Sequence, residues 1–144
     1  PLITSSSDAK LERARGIGAA ATINYKATPE WGKAVIAATG GVGAHQVLEV
    51  GGAGTLPQSL AGVAPGGHIA LFGGDIPAGS LVGRNAGVTG IFVGSRADFE
   101  ALNAFLAKHA IKPAIDRVFP FAEAEAAYAW MDTGNHFGKV VIRL

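Results

Sequence analysis

The chain has 144 residues, about the length of one ordinary domain, and its 12 Lys and Arg nearly balance its 11 Asp and Glu. A formal net charge of +1 with 16% charged residues excludes a nucleic-acid binder held by a basic field. With 49% hydrophobic residues and a mean hydropathy of +0.30 the chain can bury a core and is not disordered. There is no cysteine, which excludes disulfides, thiolate zinc sites and a cysteine nucleophile, and which suits a reducing, cytoplasmic setting. Glycine, at 21 residues, is about twice its usual share of roughly 7% and predicts many tight turns and close main-chain approaches.

The chain opens on Pro1-Leu2-Ile3-Thr4, apolar and β-branched, with no initiator Met and no charged targeting region. Such a start reads as a strand cut from a sheet, so the chain is expected to be a piece of a longer protein. Ser5-Ser6-Ser7-Asp8 supplies N-cap candidates for a helix that ends at Gly16 or Gly18. A strand is predicted over Ala21–Tyr25. Thr28 and Pro29 read as N-cap and first residue of a helix that stops at Gly40-Gly41.

His45–Val50 is predicted as a strand, followed by Gly51-Gly52-Ala53-Gly54 and a helix through Leu60. Pro65-Gly66-Gly67 reads as a turn into a strand over His68–Phe72. A glycine-rich loop from Gly73 to Gly87 then leads to a strand over Val88–Val93. Phe99, Leu102, Phe105 and Leu106 recur at three- and four-residue spacing and predict an amphipathic helix over Asp98–His109. After Lys112-Pro113 a strand is expected over Ala114–Phe121, a helix over Glu123–Met131 and a strand over Lys139–Leu144. Strands and helices that alternate with short links argue for a doubly wound parallel sheet over residues 1–110. The last 34 residues, 111–144, read as a separate β-α-β piece.

In such sheets ligands bind beyond the carboxyl ends of the strands, which directs attention to the loops after Thr4, Tyr25, Val50, Phe72 and Val93. Gly52-Ala53-Gly54 follows a strand and opens a helix, the context of a dinucleotide fingerprint, and Asp75 follows at about the distance of a ribose-binding acid. Pro57 stands where that fingerprint wants a small third residue, so an ordinary strand-to-helix turn explains the loop as well. Glu49–Gly54 and Pro65–Ile69 also resemble motifs of S-adenosylmethionine-dependent methyltransferases. Only one helix separates them here, where that family places several strand–helix units, and the order argues against it.

Taken together, Thr4–Leu11, Gly18-Ala19, Ile23–Tyr25, Leu48–Gly52, Pro65–Gly67, Gly90–Arg96, Pro120-Phe121 and Phe137–Val141 resemble the medium-chain dehydrogenase/reductase superfamily. The likeness is to its zinc-type alcohol dehydrogenase and quinone oxidoreductase branch, and it covers nearly the whole chain in order. It implies a Rossmann-like domain over 1–110 that lacks its first strand–helix unit. Residues 111–144 would be the end of a GroES-like catalytic domain. The implied activity is NAD(P)-dependent hydride transfer to or from an alcohol, carbonyl or quinone by the parent protein, with the piece itself inactive. A non-catalytic nucleotide-binding or assembly module is the competing class.

For the adenine ribose, Ser5, Ser6, Ser7 and Lys10 offer hydroxyls and a cation that suit a 2′-phosphate, and Tyr25 resembles a tyrosine that NADPH-using quinone reductases place there. NADP is therefore expected, with NAD the alternative because Asp8 could bond a 2′-hydroxyl. The same residues also read as caps, a surface lysine and a strand-end tyrosine. By resemblance, Val50, Gly51, Gly52, Phe72, Gly73, Val93, Gly94 and Ser95 would line the nicotinamide half, and Gly138 and Lys139 would return to the cleft. No catalytic residue is legible. His45, His68, His109 and His136 show no ligand spacing, so no metal site is expected here, and zinc would need ligands upstream. A small-molecule substrate and no membrane partner are expected, with a homo-oligomer formed through the edge strand 88–93.

Overall fold

A computed structural model describes residues 1–77 and 79–144. In chain order the elements are β1 (Leu2–Ser5), α1 (Asp8–Gly16), β2 (Ala21–Asn24), α2 (Trp31–Ala38) and β3 (Ala44–Glu49), followed by α3 (Leu56–Gly62) and β4 (Val63–Leu71). A helical turn α4 (Gly79–Val82), β5 (Gly87–Gly90), α5 (Arg96–Lys108), β6 (Ile115–Pro120), α6 (Ala124–Asp132) and β7 (Lys139–Arg143) complete it. The chain divides into two compact units, residues 1–93 and 94–144, so α5 groups with the second.

Among the described residues, every strand pair is parallel, as the alternation of strands and helices predicts, but the strands form three sheets. The first unit holds β1-β2 and β3-β4-β5, and the second holds β6-β7. Thus β5 is an edge strand, and β6-α6-β7 is the expected C-terminal β-α-β piece. The main core lies where α3 covers β3-β4-β5. Leu56 and Leu60 of the helix pack on Val63, Ile69 and Leu71, with Val47 and Val88 at the margin. These residues alternate along the strands, so one sheet face is apolar and the helix stripe meets it. Gly32 lets α2 approach α3: a Cβ there would stand 2.6 Å from the Gln58 carbonyl oxygen. The Gly32 N–H instead donates to Gln58 Oε1 at 2.9 Å.

Several boundaries differ from expectation, each for a local reason. Helix α2 begins at Trp31 with Glu30 at its N-cap, not at Thr28-Pro29. The preceding residues are held in a turn, in which Asn24 Oδ1 accepts from the Lys26 and Ala27 amides and the Thr28 amide donates to the Asn24 carbonyl. Pro65-Gly66-Gly67 does not precede β4 but lies inside it. Ala44 pairs with Val63 while Gln46 pairs with His68, so the tripeptide bulges out of the ladder. Gly66 takes the left-handed conformation the bulge requires, at φ 72°. The loop expected over 73–87 contains α4, with Ala78 outside the described residues. Strand β5 stops at Gly90, short of Val93, because its partner ends: Leu71↔Gly90 is the last pair of the ladder.

Candidate functional site

Two groups of the sequence-predicted residues come together in the first unit, each at the carboxyl ends of parallel strands. In the first, Ser5 closes β1, and its carbonyl accepts from the Tyr25 amide at 3.1 Å, which sets Tyr25 beside it. Ser5 Oγ accepts from the Ser7 amide at 3.2 Å. Ser7 caps α1, its hydroxyl accepting from the Lys10 amide, so Ser5, Ser6, Ser7 and Lys10 form one half-buried turn at that helix start. Sequence reasoning overlooked Asn24. Its Nδ2 donates to Asp8 Oδ1 at 2.8 Å and ties the carboxylate to the end of β2.

The second group is built on β3 and β4. The Phe72 amide donates to the Glu49 carbonyl at 3.1 Å, placing Phe72 and Gly73 beside the turn formed by Val50, Gly51 and Gly52. Gly52, at φ 70°, approaches the Gly73 carbonyl: a Cβ there would lie 3.9 Å from that oxygen. Around Gly73 a Cβ would meet nothing within 4 Å, so bare main chain faces open space. Val50 and Phe72 are exposed. A flat ring can rest on such a surface, and the donors and acceptors of a peptide plane can hold a carboxamide.

Glu49 is the principal residue missed from sequence. It ends β3, is 3% exposed, and its carboxylate accepts from the Gly51 and Gly52 amides and the Thr55 and Ser59 hydroxyls. An acid closing an apolar strand, with Gly-Gly starting two residues on and hydroxyls four residues apart at Thr55 and Ser59, is the signal that could have revealed it.

The remaining predicted residues fall at the end of the first unit or in the second. Val93 ends the first unit, 78% exposed and at φ 43°, an uncommon conformation for a β-branched residue. Gly94 and Ser95 open the second unit, where Ser95 caps α5 in a reciprocal box with Asp98. That bond holds the Asp98 carboxyl below the usual carboxylate range. Gly138 and Lys139 stand at the start of β7. The Lys139 amide donates to the Ala114 carbonyl at 2.8 Å, and the Phe137 amide donates to Asp116 Oδ1.

A cavity of about 550 Å³ lies beside α3. It is lined by Leu56, Pro57 and Leu60 on one side and by Asp75, Pro77 and Arg84 on the other. Ala53 and Asp75 of the fingerprint reading line it, whereas none of the residues assigned to the cofactor by resemblance does; the strand-end loops, which offer main-chain groups beside open space, are the better candidate for a dinucleotide. Among the described residues no group of three or more His, Cys, Asp or Glu side chains could hold a metal ion, so their donor set does not fit zinc. No helix among them is long and apolar enough to cross a membrane.

Parallel strands joined by helical crossovers, with glycine and serine loops at their carboxyl ends, define a Rossmann-like α/β class of fold. Residues 1–108 match the sequence profile of the zinc-binding dehydrogenases, and the chain belongs to that family, part of the medium-chain dehydrogenase/reductase superfamily. It is 44% identical over 152 residues to a zinc-type alcohol dehydrogenase-like protein of Schizosaccharomyces pombe, the match covering 99% of this chain and 44% of that protein. Among solved structures, a Sinorhizobium meliloti protein assigned as an alcohol dehydrogenase superposes with a TM-score of 0.91 at 40% identity, over 99% of this chain and 43% of its own. An NAD-dependent alcohol dehydrogenase gives 0.88 at 30% identity, over 99% and 43%. A mycobacterial protein solved with NADPH gives 0.82 at 25% identity, over 99% and 48%. The chain thus spans less than half the length of these relatives.

Proposed function

We propose that this chain is part of an NAD(P)-dependent oxidoreductase that passes hydride between a nicotinamide and an alcohol, carbonyl or quinone, with NADPH the preferred cofactor. When bound, the nicotinamide supplies or accepts the hydride; the chain's own residues bind and orient. The observation that carries the reading is the pairing of the Gly51-Gly52 turn with Gly73 at the strand ends of a zinc-binding dehydrogenase. Similar structures include one solved with NADPH and one of an NAD-dependent alcohol dehydrogenase.

The preference for NADPH rests on Ser5, Ser6, Ser7 and Lys10 at the start of α1, with Tyr25 beside them. Main-chain donors at a helix start and a nearby ammonium favour a dianionic 2′-phosphate. Asn24 occupies one oxygen of Asp8, the group that would otherwise bond a ribose hydroxyl. On the nicotinamide side, Val50, Gly51, Gly52, Phe72 and Gly73 form the surface, to which Val93, Gly94 and Ser95 and the Gly138-Lys139 turn are assigned by family likeness. The same likeness gives 1–110 to the cofactor domain and 111–144 to the catalytic domain. The edge strand β5 and the exposed Phe92 and Val93 after it offer a surface for pairing with a second copy.

Titration with NADPH and NADH, followed by thermal stability, tests the assignment, because a ligand that binds only the folded chain raises its stability. NADPH is expected to stabilise the chain more than NADH. Lys10→Ala is expected to weaken NADPH binding by about tenfold while leaving NADH within about twofold, as loss of one charge-assisted contact implies. An assembly module would respond to neither cofactor.

A further inference from the structure

We propose that Glu49 is a positioning residue, whose buried carboxylate fixes the 51–55 turn in the shape that the nicotinamide end of the cofactor meets. The inference rests on the reading of the Gly51-Gly52 turn given under the proposed function. Glu49 does not itself reach the cofactor surface; it lies beneath it, 3% exposed.

The geometry is that of a latch. Oε1 accepts from the Gly51 amide at 2.8 Å, the Gly52 amide at 3.1 Å and the Thr55 hydroxyl at 2.6 Å, and Oε2 accepts from the Ser59 hydroxyl. A buried carboxylate is costly unless such donors surround it, so the turn and the acid hold one another in place. All four donors come from the ten residues that follow Glu49, so the latch shapes this turn and the start of α3.

Two further features show that the neighbouring residues are arranged around it. Thr55 stands at the N-cap of α3, where a hydroxyl ordinarily accepts from the first helical amides, yet its side chain makes no such capping bond. Its hydroxyl donates to Glu49 instead. Gly51 has no room for a side chain, because a Cβ would run into Thr55 Oγ1. A residue other than glycine at 51 would push Thr55 off the carboxylate. The exposed side of the same turn presents Val50 and sets Gly52 against Gly73. A displacement of the turn of about 1 Å would move the surface on which the ring rests, and shifts of that size are costly to orientation-dependent chemistry.

The test compares NADPH with adenosine 2′,5′-bisphosphate, which carries the adenine and 2′-phosphate but no nicotinamide. Both are titrated against the 144-residue chain and its variants, with binding read from amide shifts in NMR spectra so that weak affinities register. Glu49→Ala is expected to weaken NADPH by about tenfold or more, as loss of a group satisfying several donors implies, and to leave the bisphosphate within about twofold. Glu49→Gln keeps an oxygen for the turn and offers its amide to Ser59, whose hydroxyl can accept as well as donate, so it is expected to retain both affinities within about threefold.

Equal weakening of both probes by Glu49→Ala, or of neither, overturns the latch, and so does a loss in Glu49→Gln as large as in Glu49→Ala. Should Glu49→Ala fail to fold, the double change Thr55→Val with Ser59→Ala keeps the acid and strips its hydroxyl donors. It is expected to lower the NADPH-to-bisphosphate affinity ratio by about fivefold, and an unchanged ratio overturns the latch. An unsubstituted chain that binds neither probe overturns the proposed function itself. Normal binding with an unaltered ratio in the variants overturns only the role of Glu49.

Discussion

At the scale of single residues, main-chain geometry rather than side-chain chemistry explains several of the positions that stand out. Gly138 sits at φ 88°, and a Cβ there would collide with the Ala114 carbonyl oxygen that accepts the Lys139 amide. Gly138→Ala is therefore expected to destabilise the second unit by about 1–3 kcal/mol, through strain and the displaced start of β7, measured by denaturant unfolding. An unchanged midpoint would show that the β7 start tolerates a side chain. Ser7 was legible among the four N-cap candidates because a hydroxyl just before a helix can accept from its first free amides. Glu49 was not, because its burial depends on two hydroxyls that only the folded α3 brings to it. Asn24 was missed for a similar reason: its bond to Asp8 spans 16 residues and joins the end of β2 to the start of α1.

At the scale of elements, helix α5 shows what a cap does and how pH bears on it. Ser95 and Asp98 bond reciprocally, and the hydroxyl and main-chain amide of Ser95 hold the Asp98 carboxyl below its ordinary value of 3.8. A carboxyl whose folded value is depressed stabilises the helix start above the unfolded value, and the effect is lost as pH falls through the folded one. The first turn of α5 is thus expected to fray in acid below about pH 3.8, with no change near neutrality, seen as loss of amide-exchange protection at Ser95 to Asp98 relative to the intrinsic rate. Loss of protection beginning near pH 6 would point to a different group.

The extent of α5 was readable to within two residues from its apolar period, while the Ser95 cap that starts it was not read from the sequence. The bulge in β4 was not, since Pro-Gly-Gly reads as a turn in isolation and only pairing with β3 shows the ladder resuming at His68. Arg84 adds a clamp no local pattern announces: its guanidinium donates to the Ala61 and Val63 carbonyls, at the end of α3 and the start of β4.

At the scale of the molecule, the parallel α/β class and the strand-end loops were legible, because alternating apolar strands and amphipathic helices leave few other arrangements. The division of the first unit into β1-β2 and β3-β4-β5 was not, since pairing between strands distant in sequence leaves no local mark. The proposed function requires these two strand-end groups to serve one cofactor. The most direct test is an NMR titration of the chain with NADPH, following the amides of Ser5 to Lys10 and Tyr25 together with Gly51, Gly52 and Gly73. Shifts in both sets that saturate along one binding curve are the predicted result. Shifts confined to one set, or to residues around the cavity at Leu60 and Pro77, would contradict the account.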